Sequence, residues 1–150
     1  MNGTSCEGCA LTEAEVRAVV ERAVAGWALE GRRVLLLVPD QTRSCPLGLL
    51  FRLIHDAVGA SVRQMDVMIA LGTHQPLTEE QIRQRLEITA EERETRYGRV
   101  RFFNHAWDNP AELMEVGRLT AADIREMTGG LFELDIAVTC NRRVQDYDVL

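Results

Sequence analysis

Val34-Leu35-Leu36-Leu37-Val38-Pro39-Asp40-Gln41-Thr42-Arg43-Ser44-Cys45-Pro46 is the stretch whose reading decides the fold. Its unbroken apolar run is that of a strand buried on both faces. Beyond Pro46 the apolar positions Leu49, Leu50, Leu53, Ile54 and Val58 recur at helical spacing. An acid, a hydroxyl and a guanidinium therefore fall where a strand hands over to a helix. In a parallel α/β sheet that is the edge at which ligands bind. The layout recurs twice. Met65 to Ala70 runs into Leu71-Gly72-Thr73-His74-Gln75-Pro76, and Val100 to Phe103 runs into Asn104-His105-Ala106-Trp107-Asp108-Asn109. Three polar strand ends point to one shared site.

Working outward, Thr12 with Glu15 makes a capping box for a helix expected from Glu13 to Leu29, with Trp27 on its apolar stripe. Further strands are expected at Gln64 to Ala70, Arg99 to Phe103 and Leu134 to Thr139. Thr78 with Gln81 and Thr89 with Glu92 cap two short helices. Pro110 suits the first turn of a helix capped by Asp108 or Asn109. Thr120 to Met127 reads as another helix, closed by Gly129-Gly130. The fold class is α/β: a mostly parallel sheet flanked by helices, three-layer and Rossmann-like. Residues 1–10 read as a flexible leader and 11–150 as one N-terminal α/β domain. Tyr147 to Leu150 resembles the opening of another strand, so the domain is expected to be truncated before its last strands.

A net charge of −6 over 150 residues argues against nonspecific binding to nucleic acid or an anionic membrane. Every basic side chain other than histidine is arginine, so no lysine can form a Schiff base or tether a cofactor within this chain. The four cysteines do not form a disulfide framework, and no signal peptide is visible, which places the protein in the cytoplasm. Cys6 and Cys9 have the spacing of a zinc or redox half-site without a second pair of ligands.

Among the candidate residues, Arg43 offers a rigid fork of donors for a carboxylate or phosphate, or a loop-shaping ion pair with Asp40. His74, between Gly72 and Pro76, is a held but reachable acid/base, or a capping histidine. His105 and Trp107 complete a polar site or simply pack. His55, on a helix beside Asp56, reads as a surface residue.

The chain resembles the lactate racemase (LarA-like) family. The resemblance rests on Asp-x-Thr-Arg-x-x-Pro at Asp40, Thr42, Arg43 and Pro46, and on Leu-Gly-Thr-His-x-Pro-x-Thr-Glu-Glu from Leu71 to Glu80. Asn104-His105-x-Trp107 and Asn141 to Val144 before Tyr147-Asp148 add weaker support. The resemblance implies a racemase or epimerase of 2-hydroxy acids that uses a nickel-pincer nucleotide. A histidine takes the hydroxyl proton while the α-hydride passes to the cofactor ring. It implies His74 as one catalytic histidine, Arg43 as the substrate-carboxylate anchor, and Asp40, Thr42, Gly72 and Thr73 as a cofactor and substrate loop, with His105 and Trp107 as accessory residues. The second histidine, the tethering lysine and the nickel ligand of the family lie beyond Tyr147, so no metal ligand is expected within this chain. The expected partners are a small 2-hydroxy acid, a C-terminal domain absent from this chain, and further copies of the chain. These residues alone should not racemise. The alternatives are a noncatalytic anion- or metabolite-binding module of the same descent, and a hydrolase or metal site built on Asp40, His74 and His105.

Overall fold

A computed structural model describes residues 10–150; the leader cysteines Cys6 and Cys9 lie outside the described residues. Strands β1 (Arg33–Pro39), β2 (Gln64–Ala70) and β3 (Phe102–Asn104) form a parallel sheet in the order β1-β2-β3. Helices α1 (Glu13–Val24), α2 (Leu47–Val58), α3 (Glu79–Arg85) and α4 (Ala90–Glu94) are interleaved with them. The chain is thus mixed α/β, with a parallel sheet flanked by helices. The register sets Arg33 beside Gln64 and Pro39 beside Ala70, so β1 and β2 end level with each other. Ile69 lies beside Asn104, which brings the end of β3 to the same edge.

The core follows from the alternation of the strands. Val34, Leu36 and Val38 share a face with Met65, Val67 and Ile69. Against that face pack Leu47, Phe51 and Val58 of α2, Ile82 of α3, and Leu86, Ile88, Tyr97 and Val100. Phe51 is 1% exposed and its ring lies 4.9 Å from that of Tyr97. The opposite face buries Leu35, Met68 and Asp66 but leaves Leu37 half exposed. There Asp66 accepts hydrogen bonds from Tyr147 Oη (2.6 Å), the Arg101 backbone N–H (2.8 Å) and guanidinium (2.6 Å), and Gln64 Nε2 (2.7 Å). Burial alone would push this carboxyl up; the donors outweigh it and hold it below the ordinary range. Burial, then the bond to Asp66, pushes the Tyr147 phenol up to about 12. Val149 adds a parallel bridge to Val34, so the segment from Tyr147 begins to extend the sheet beside β1.

Four expectations are corrected. The first helix ends at Val24 rather than Leu29. Gly26 carries little helix propensity, and the chain turns so that Leu29 enters the core while Trp27 is exposed. No α-helix follows Pro110. A single 3-10 turn (Pro110–Glu112), capped by the Asn109 side chain, leads into strand β4 (Leu113–Leu119). The β-branched Val116 and Gly117 disfavour a helix there, and the backbone groups find partners across the ladder instead. The expected strand at Leu134 to Thr139 is β5 (Ile136–Asn141), but it pairs antiparallel with β4 in a separate two-stranded sheet. Helix α5 (Ala121–Met127) joins them, and Leu131, Phe132, Ile136 and Val138 around this pair are exposed. Finally, His55 is half-buried against Tyr97, ring centroids 4.8 Å apart, and burial lowers its pKa.

Replacing Phe51 by Ala leaves a cavity under the β1–β2 face and should cost about 3–5 kcal/mol, measured as a loss of unfolding free energy in denaturant.

Candidate functional site

The level ends of β1 and β2 set the loops at Asp40 and His74 side by side. Asp40 is almost fully buried, 3% exposed. One carboxylate oxygen accepts from the Thr42 hydroxyl (2.6 Å) and backbone N–H (3.0 Å). The other faces His74 Nδ1 at 2.6 Å. The Thr42 hydroxyl, joined by the Thr42 amide and His74, outweighs burial and holds the carboxyl at about 2. At neutral pH Asp40 is therefore ionised and can only accept hydrogen bonds. Nδ1 of His74 must then carry the hydrogen, which leaves Nε2 as the ring nitrogen available for chemistry. The His74 side chain is half exposed, so a ligand can reach it.

Arg43 and His74 line the same cleft. It has a volume of about 330 Å3, and Asp40, Thr42, Leu71 and Gly72 share its wall. The Arg43 side chain is exposed and forms no ion pair among the described residues, in contrast to the Asp40–Arg43 pairing that the sequence left open. Gly72 adopts φ +57°, a conformation that costs an L-residue roughly 1–2 kcal/mol. A Cβ there would meet nothing within 4 Å, so the backbone and not space requires the glycine. Thr73 is exposed on the same loop.

The third strand end contributes support rather than a cleft wall. Trp107 Nε1 donates to the His74 carbonyl at 3.4 Å. His105 turns away: its backbone N–H donates to Ile69 O, and its ring Nδ1 accepts from the Asn141 amide at 3.3 Å. Neither residue lines the cleft. Two residues without a place among the sequence candidates hold the loops. Asn104 grips Leu77 at both backbone groups, accepting from its N–H (3.0 Å) and donating to its carbonyl (2.9 Å). Arg85 donates to the carbonyls of Pro39 (3.3 Å) and Arg43 (3.0 Å). A polar residue closing β3 was the only signal for the first. Nothing in the sequence marks the second, because its partners are main-chain atoms.

Among the described residues no three His, Cys, Asp or Glu side chains converge on a metal position. With no lysine in the chain, these residues do not fit a tethered nickel cofactor by themselves. They set an exposed guanidinium beside an imidazole oriented by a carboxylate. No helix of the described residues is long and apolar enough to cross a membrane.

The chain belongs to the lactate racemase N-terminal domain family, whose model matches residues 7–144. Five solved chains match it. Among them is the crystal structure of a protein from Thermotoga maritima, with a TM-score of 0.78 and 29% identity over 93% of this chain. The chain spans 32% of that protein's length. No curated protein matches.

Thr42→Val removes the strongest donor to Asp40 and should raise its midpoint from about 2 towards the ordinary carboxylate value of about 3.9. Because the folded value lies below the unfolded one, the stabilisation from Asp40 is complete above the unfolded value. It is lost as the pH falls through the folded one. The variant should narrow that acid window, as read by carboxyl 13C NMR and by acid unfolding.

Proposed function

We propose that this domain supplies the substrate-binding and proton-transfer half of a 2-hydroxy-acid racemase or epimerase. The observation that carries the reading is the shared cleft: Arg43 and His74 face one small space, and Asp40 fixes the imidazole. Family membership supports the racemase context.

The guanidinium of Arg43 takes the substrate carboxylate in a charge-assisted fork. That fixes the α-carbon relative to His74 and replaces a chance encounter by a positioned one. His74 Nε2 accepts the 2-hydroxyl proton, and the developing imidazolium is stabilised by the ionised Asp40 at Nδ1. The proton returns along the same path. No side chain of the cleft is suited to take the α-hydrogen as hydride. In the family reading a nickel-pincer nucleotide supplies that chemistry, held by a lysine and a histidine that this chain does not contribute. The domain is read as part of a cytoplasmic enzyme of that kind.

Titrating isotope-labelled protein with each lactate enantiomer should shift the amides of Thr42, Arg43 and Gly72. Arg43→Ala should weaken binding about 10- to 100-fold, the worth of a hydrogen bond to a charged group. Absence of any shift, or a shift indifferent to Arg43→Ala, would overturn the proposal. In a complete enzyme carrying this domain, His74→Ala should lower kcat by roughly 10²–10⁴-fold with little change in KM.

The lack of lysine in the chain, and of a metal-donor cluster among the described residues, favours one second reading, a noncatalytic carboxylate-binding module. Racemisation of L-lactate by residues 1–150 supplied with nickel-pincer nucleotide is not expected. Turnover in that mixture would refute the half-site reading and the module alike.

A further inference from the structure

The geometry points to Arg85 as a positioning residue: through two backbone carbonyls it sets the loop that carries Asp40, Thr42 and Arg43. The inference rests on the carboxylate-binding reading of the cleft and deepens it.

Arg85 is the last residue of α3, the helix that follows the His74 loop. It is half-buried and has no carboxylate partner among the described residues. Its donors go to Pro39 O, at the end of β1, and to Arg43 O, four residues on. These carbonyls bracket Asp40, Gln41 and Thr42. A guanidinium is planar and its donors have fixed directions, so bridging both carbonyls fixes their separation. That separation decides whether Thr42 can turn its N–H and hydroxyl onto Asp40.

Arg85 also closes a frame. At the cleft the two loops are tied by the 2.6 Å contact between Asp40 and His74. Behind it they are tied by Arg85, because α3 begins directly after the His74 loop, with Thr78 as its N-cap. With both ties in place the guanidinium of Arg43 and the imidazole of His74 cannot drift apart independently. Without the rear tie, the Asp40–His74 contact is the one side-chain hydrogen bond that joins the two loops among the described residues. Arg85 does not itself line the cleft; it lines a separate cavity with Gln41, Leu77, Gln81 and Gln84.

The test uses Arg85→Gln and Arg85→Lys in this chain, with Arg83→Gln on the same helix as a control. A lysine ammonium reaches one carbonyl but cannot hold both in register. Carboxyl 13C NMR follows the Asp40 titration, which needs no substrate, and amide shifts follow lactate binding. Both Arg85 variants should raise the Asp40 midpoint from about 2 towards about 3.9. They should weaken lactate binding roughly tenfold, the effect of losing one hydrogen bond to a charged group, while Arg83→Gln changes neither. An unmoved Asp40 midpoint in folded Arg85→Lys would overturn the inference, whatever happens to thermal stability. A moved midpoint in protein whose wild type binds no lactate would sustain the positioning role and refute the functional reading instead.

Discussion

The buried carboxylate of Asp40 is the constraint on which the site depends. It is nearly sealed from solvent, and each of its oxygens is committed: one to the Thr42 hydroxyl and amide, the other to His74. An unpaired charge at that depth would be costly. The donors therefore have to assemble around it, and in doing so they join the ends of β1 and β2. A short polar loop becomes part of a defined cleft through this requirement. The tautomer of His74 follows from the same fact, since an ionised acceptor leaves only one arrangement of the imidazole hydrogen.

The parallel sheet explains why the loops meet. Three strands of one direction deliver their C-terminal ends to one edge. The apolar run Val34–Val38 and the capping boxes at Thr12, Thr78 and Thr89 are local signals, and each marks the start of its element directly. The core helix α2 was equally legible, because Leu50, Ile54 and Val58 repeat at helical spacing. The pair β4–β5 was not. Its strands are held by a ladder between segments about twenty residues apart, with a register shift between Glu115 and Gly117. A strand was expected at Leu134 to Thr139, but its partner β4 was hidden because Pro110 carried a helix signal that only one 3-10 turn used.

The site shows the same division. Asp40, Arg43, Gly72 and His74 stand in compact motifs, and the structure sets them around one cleft. His105 was grouped with them because it too follows a strand, yet its ring is drawn to Asn141 on a distant element. Arg85 and Asn104 act on main-chain atoms, whose positions no side-chain pattern records. Leu131 and Phe132 are apolar in sequence yet exposed around β4 and β5, because burial depends on what packs against a segment and not on its composition.

The bond from Tyr147 to Asp66 has a kinetic consequence. It joins positions 81 residues apart, and the neighbouring bond from the Arg33 N–H to Asp148 joins positions 115 apart. Closing such long loops is entropically slow, whereas β1, α2 and β2 can collapse among near neighbours. The sheet can therefore form before Asp66 gains its phenolic partner. During synthesis that bond has to wait until Tyr147 has left the ribosome.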